Sequence, residues 1–254
     1  MGGAGIHADI KTISALGAHA ATAITSVTAQ NSKGVKSIHV IPPTFIKEQL
    51  NCVLEEVIPD AVKIGMLGNG SAIAAVAEIL AQRRTGPVVL DPVLRASAGG
   101  ELLEKGALET LVSKLMPLCN VVCPNIPEAE VLAEIEIRTQ KDMMEAAKRI
   151  AKLGPSVVIT GGHLGKMTTD LVFDTGKFLW VKGHKLHTPN THGTGCVFSS
   201  ALATYLAKGK SVMEAIKMAH DFTRYAIIYS YPLGNGYGPV RPIRPGKFRH
   251  PKEK

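Results

Sequence analysis

The run Asn190-Thr191-His192-Gly193-Thr194-Gly195-Cys196, followed by VFSSALATYLA, carries the strongest chemical signal in the chain. Gly193 and Gly195 let the backbone turn tightly, and residues 196–207 read as a helix. A helix start leaves N–H groups unpaired at the positive end of the dipole, so it attracts an anion. Phosphoryl transfer depends mostly on positioning and on stabilising charge on the group in flight. The N–H groups of Gly193, Thr194, Gly195 and Cys196 suit that task. Cys196 falls in the first helical turn, where the dipole is expected to lower a thiol pKa. As a thiolate it would take the proton from an attacking hydroxyl. The plain alternative is a loop-to-helix turn with Cys196 as a small packing residue, because a lone Gly-x-Gly is a weak motif. His192 is a candidate for orienting the turn.

A second set of candidates lies at the ends of apolar runs. Asp91 closes VVLDP, and Asn125 with Glu128 makes Asn-x-x-Glu after VVCP. Oxygen ligands beside phosphates suit Mg²⁺, which keeps several waters and takes one or two carboxylates. Glu128 would act through a water. The alternative is helix capping, since Asn followed three residues later by Glu is also a capping box. His163, in Gly161-Gly162-His163, receives no role. No Walker motif and no Ser-His-Asp constellation stands out, and no Gly-x-Gly-x-x-Gly follows a strand with a ribose-binding acid downstream, which argues against a dinucleotide-dependent dehydrogenase.

The elements that must position these residues alternate. Strands are expected at 20–28, 61–66, 88–90, 120–123 and 156–160. Helices are expected at 6–16, 44–57, 72–83, 101–115, 128–133 and 140–153. Residues 170–173 and 177–182 flank Asp174-Thr175-Gly176, a hairpin signature. Helices over 196–207 and 212–229 close the chain. Such alternation implies a three-layer αβα fold with a mostly parallel central sheet covered on both faces. Ligands in that architecture bind outside the carboxyl ends of the strands. Asp91, Asn125, Glu128 and Gly161-Gly162 all fall there.

The chain has 254 residues with a formal net charge of +8. Residues 241–254 hold six Lys/Arg against Glu253 and so supply +5 of that charge, which leaves a near-neutral body and a basic tail. Without aromatic interleaving or a reading helix, that charge does not indicate nucleic acid. No apolar run reaches membrane-spanning length and the first residues lack a signal-peptide core, so no membrane partner is expected. Cys52, Cys119, Cys123 and Cys196 match neither a zinc spacing nor a disulfide scaffold, which points to a reducing cytoplasm. One domain over 1–240 with a basic tail over 241–254 is the expected organisation.

Taken in order, Gly2-Gly3-Ala4-Gly5-Ile6-His7-Ala8-Asp9-Ile10-Lys11-Thr12, Thr28-Ala29-Gln30-Asn31, Lys63-Ile64-Gly65-Met66-Leu67, Asp91-Pro92-Val93, Pro124-Asn125-Ile126-Pro127-Glu128-Ala129, Gly161-Gly162-His163 and the Gly193–Cys196 turn resemble the hydroxymethylpyrimidine/phosphomethylpyrimidine kinases of thiamine biosynthesis, which have the ribokinase-like fold. The resemblance reaches Gly238-Pro239-Val240. It implies ATP and Mg²⁺, and two successive phosphorylations: of 4-amino-5-hydroxymethyl-2-methylpyrimidine, then of its monophosphate. It implies that Gln30 hydrogen-bonds the aminopyrimidine, an amide matching an amino group and a ring nitrogen. It places Gly3, Asp9, Met66 and Val93 around the pocket, Cys196 as base or hydroxyl partner, and Asn125 with Glu128 in the magnesium-phosphate motif. It also admits a homodimer.

Three departures accompany the resemblance. The family's first apolar strand and its Gly-Ser/Thr-Asp-Pro-Ser segment are missing before Gly2. That strand would lie inside the sheet, so its neighbours should be unpaired. Thr160 stands where many members have Lys, and Leu94-Arg95-Ala96-Ser97-Ala98-Gly99 stands where Lys-Ser-Gly is common. Two rival readings follow: a pyridoxal or pyridoxine kinase on the same scaffold, and a catalytically impaired pyrimidine-binding paralogue.

Overall fold

The computed structural model describes residues 2–95, 99–161, 167–184 and 186–243. Its main sheet has six strands in the order β3 (Val62–Ile64), β4 (Val88–Leu90), β5 (Val121–Val122), β6 (Ser156–Ile159), β7 (Met167–Asp174) and β8 (Lys177–His184). The first four are parallel, and β7 and β8 add an antiparallel hairpin at one edge. A separate antiparallel hairpin joins β1 (Ser26–Asn31) to β2 (Gly34–Val40).

Alternation along each strand sorts side chains into two cores. Leu90, Val122, Val157 and Ile159 face one core with α2 (Pro43–Leu54), α3 (Gly70–Gln82), α5 (Ile126–Ala133) and α6 (Gln140–Ala151). Val89, Val121, Val158 and Val172 face the other with α1 (Ile6–Ala15), α7 (Thr194–Ala207) and α8 (Val212–Ile228). This is the expected three-layer αβα fold. Leu202 of α7 and Ile216 of α8 are fully buried, and each such side chain contributes roughly 1.5–3 kcal/mol by leaving water. Helix starts follow their caps: Asn69 accepts from the Ala72 N–H, and Thr139/Asp142 and Ser211/Glu214 form capping boxes.

The elements depart from the sequence reading in three places. The strand expected at 20–28 joins a ladder only from Ser26, where it pairs with β2, a strand the sequence reading missed. The helix expected at 101–115 is shorter: Gly106 adopts φ 86°, and α4 (Ala107–Thr110) then widens into a π turn, Leu111–Leu115, and tightens into a 3₁₀ turn, Met116–Leu118. A left-handed residue cannot continue a right-handed helix, so Gly106 sets that boundary. Finally, the sheet ends at β3, and neither its outer side nor residues 18–24 form a ladder among the described residues. Both the N–H and the carbonyl of Ile24 are bonded instead by the Gln49 side-chain amide, at 2.9 Å each.

No helix among the described residues is long and apolar enough to cross a membrane. Residues 244–254 of the basic tail, Gly162 and His163, and residues 96–98 of the loop after Val93 lie outside the described residues.

Candidate active site

Gly193 caps α7 with φ 89°, and a Cβ there would sit 1.8 Å from the Gly3 carbonyl oxygen. The turn therefore needs glycine for both its backbone conformation and its close contact with the N-terminal segment. Gly3 is equally confined, since a Cβ on it would meet His192 Cδ2 and Pro239 Cβ at 2.8 Å. Gly5 is the N-cap of α1, and its backbone N–H donates to Cys196 Sγ at 3.3 Å. The starts of α1 and α7 thus converge on one point. Two positive dipole ends there favour an anion more than either alone. Gly3, Gly193, Thr194, Gly195 and Cys196 stand together as the sequence suggested.

Below the turn lies a buried charge network. Lys63 on β3 donates to both oxygens of Asp9 on α1 at 3.0 Å, and Ser200 on α7 donates to Asp9 Oδ1 at 2.7 Å. Asp91, just past β4, is buried, accepts from Ser199 Oγ at 3.0 Å and lies beside Gly195. Burial pushes the Asp91 carboxyl above its usual range, while Lys63 and Ser199 pull it back. Burial would lower the Lys63 pKa, but Asp9, Cys196 and Asp91 together overcome it and hold the ammonium charged.

Cys196 corrects the expectation of a lowered thiol pKa. Burial pushes it up to about 11, ahead of the opposing pulls of Lys63 and of the Gly5 hydrogen bond. The helix start is real, but the cost of burying a thiolate exceeds what the positive surroundings return.

The Asp9 carboxylate is engaged by Lys63 and Ser200. Lys63, Ser199 and Ser200 received no role from the sequence. A lysine between Val62 and Ile64 in a buried strand was the available signal, since Lys is rarely buried unpaired.

Asn125 and Glu128 form the capping box of α5, with Asn125 Oδ1 accepting from the Glu128 N–H at 3.0 Å and Glu128 Oε2 accepting from the Asn125 N–H at 2.9 Å. Glu128 Oε1 also accepts, at 3.4 Å, from the Leu94 N–H. Burial, reinforced by the charge of Asp91, pushes its carboxyl up to about 7. A cation beside Glu128 would offset the cost that burial and the Asp91 charge place on its ionised form. Among the described residues no cluster of three or more His, Cys, Asp and Glu could hold one. Thr160 bridges to Asn125 at the carboxyl end of β6.

Gln30 is half-buried on β1, just past an irregularity in register between Ala29 and Gln30. Its hairpin meets the segment 236–240, where the Tyr237 N–H donates to the Ser32 carbonyl. The same segment runs beside His192, whose N–H donates to Gly238 O and whose carbonyl accepts from the Val240 N–H. His192 is thereby fixed by its backbone, ahead of Gly193. The Met66 carbonyl accepts from Thr25 Oγ1 at 2.6 Å. Val93 borders a small cleft with Gly65, Leu67 and Pro92.

The sequence matches the phosphomethylpyrimidine kinase family over residues 1–241. This chain belongs to that family. It is 44% identical over 244 residues to the thiamine biosynthesis bifunctional protein ThiED of Geobacter sulfurreducens, covering 95% of this chain but 50% of that longer protein. It is 43% identical over 245 residues to the hydroxymethylpyrimidine/phosphomethylpyrimidine kinase of Haemophilus influenzae, covering 94% of this chain and 91% of that one. Among solved structures it resembles an ADP complex of Bacillus subtilis pyridoxal kinase, with TM-score 0.88 and 36% identity over 95% of this chain and 92% of that one. The central sheet and its two helical layers match the fold of that kinase.

Proposed function

We propose that this chain phosphorylates 4-amino-5-hydroxymethyl-2-methylpyrimidine with ATP, and then phosphorylates the monophosphate to the diphosphate. The observation that carries the reading is the convergence of the α1 and α7 starts on Cys196, beside Asp91, in a chain of this family. The N–H groups of Gly193, Gly195 and Cys196 stabilise charge on the transferring phosphoryl group, while the Thr194 N–H is held by the Thr191 carbonyl. Cys196 is the base. Its thiolate is a minor species at neutral pH, and it takes the hydroxyl proton as the oxygen bonds to the γ-phosphorus of ATP and ADP departs with the bridging oxygen. Gln30 orients the aminopyrimidine, and Gly3, Met66 and Val93 shape its surroundings. Asp9 acts from beneath through Lys63.

Asp91, Asn125 and Glu128 would hold Mg²⁺ with the nucleotide's phosphates, Glu128 through water. The cation would supply charge neutralisation between phosphate oxygens. The kinase unit spans 1–240, followed by the basic tail over 241–254. We place the chain in the cytoplasm, where its free cysteines stay reduced, without nucleic-acid or membrane partners.

A second reading, pyridoxal phosphorylation, is favoured by the likeness to the Bacillus subtilis pyridoxal kinase. Incubating the purified chain with Mg-ATP and either alcohol, and following ADP and the phosphorylated products by chromatography, separates the readings. Sequential mono- and diphosphate from the pyrimidine is the expected result. Turnover of pyridoxal alone would replace the proposal with the second reading. Pyrimidine binding without ADP release would make the chain a non-catalytic paralogue.

A further inference from the structure

Cys196, Ser199 and Ser200 share one face of α7, since positions three and four apart on a helix are neighbours. Ser199 reaches Asp91, Ser200 reaches Asp9, and Asp9 holds the Lys63 ammonium. The Lys63 side chain is 6% exposed and that of Asp9 18%. A Cβ on Gly65 would lie 2.8 Å from Lys63 Nζ, so the glycine two residues along the strand leaves the space in which the ammonium sits. The ammonium is therefore clamped in place beneath the helix face that carries the sulfur.

We propose that Lys63, clamped by Asp9 and Ser200, is a positioning residue for Cys196 whose buried charge sets how readily the sulfur becomes a thiolate. The charged groups facing that sulfur come from three elements: Asp9 on α1, Lys63 on β3, and Asp91 after β4. Of these, Lys63 favours the thiolate while Asp91 and Asp9 oppose it. Asp9 thus has two opposed effects: it holds the cation in place and partly cancels it. The Gly5 N–H, carried by the helix that also bears Asp9, completes the surroundings of the sulfur.

This inference rests on the role given to Cys196 above, but its test does not need turnover. In a Cys52→Ser background, which removes the exposed thiol and leaves Cys119 and Cys123 buried, alkylation by iodoacetamide at fixed pH reports the Cys196 thiolate. Lys63→Met is expected to slow alkylation about tenfold, the equivalent of one pKa unit. Asp9→Asn is expected to speed it, because it removes negative charge and retains the side-chain shape. A purely structural clamp would move both variants in the same direction. Matching directions, or no change in either, would overturn the proposal. If Lys63→Met fails to fold by circular dichroism, Lys63→Gln takes its place: slower alkylation supports the proposal, and unchanged or faster alkylation overturns it. Where the parent chain turns over, Lys63→Met should lower kcat about tenfold and leave KM for the aminopyrimidine within about threefold. A parent chain without kinase activity would remove the functional reading and leave the alkylation result interpretable.

Discussion

The Gly5 N–H points at Cys196 Sγ from 3.3 Å, across 191 positions of sequence. One helix start thereby holds the sulfur carried by another. The N-terminal segment is part of the site, not merely adjacent to it, because Gly3 packs against both His192 and Gly193.

Replacing Cys196 with Ala removes the proposed base and keeps the backbone N–H groups. Turnover should fall roughly 10²–10⁴-fold, the usual worth of general base catalysis. Pyrimidine affinity should change much less, because the lost interaction belongs to the transition state. Steady-state kinetics with calorimetry checks this, and equal losses in both would remove the base role.

Activity should also rise with pH. With the Cys196 pKa pushed up to about 11, the thiolate grows about tenfold per pH unit through the neutral range. A profile of kcat/KM from pH 6.5 to 9.5 should climb throughout, and a plateau near pH 7 would contradict the assignment.

Gln30→Ala should weaken pyrimidine binding by roughly 1–3 kcal/mol, the cost of leaving buried polar groups unpaired. Calorimetry with the unphosphorylated alcohol measures it. Unchanged affinity would take Gln30 out of the pocket.

Glu128 should make stability depend on pH. Its carboxyl titrates near 4.5 in the unfolded chain and at about 7 in the folded one. Between those values the folded chain binds the extra proton, so stability is fully present below about 4.5 and is lost as pH rises through 7. The loss should be on the order of 3 kcal/mol. Glu128→Gln keeps an acceptor for the Asn125 N–H and should flatten this part of the Tm profile. An unaltered profile would show that Glu128 is not its source.

Asp9→Ala leaves the Lys63 ammonium buried without its carboxylate. Breaking a buried pair from one side costs about 3–5 kcal/mol, so denaturant unfolding should shift markedly to lower concentration. A change under about 1 kcal/mol would mean that water reaches Lys63 readily.

Composition and periodicity were enough to specify the layers. Val88, Val89 and Leu90 form a short apolar run between Gly86-Pro87 and Asp91-Pro92, the pattern of a strand covered on both faces. The Gly193–Cys196 turn was equally legible, because glycine admits the left-handed conformation that a tight turn into a helix needs. β2 escaped notice, since Gly34–Val40 alternates apolar and polar residues too loosely to mark a face. Contacts between residues distant in sequence were not readable either. Nothing near Lys63 in sequence names Asp9 as its partner, and nothing near Cys196 names Gly5. Those pairings depend on how α1, β3 and α7 pack. The sign of the Cys196 shift was decided there too, because the local dipole is a property of sequence order, whereas burial belongs to the assembled layers and outweighs it.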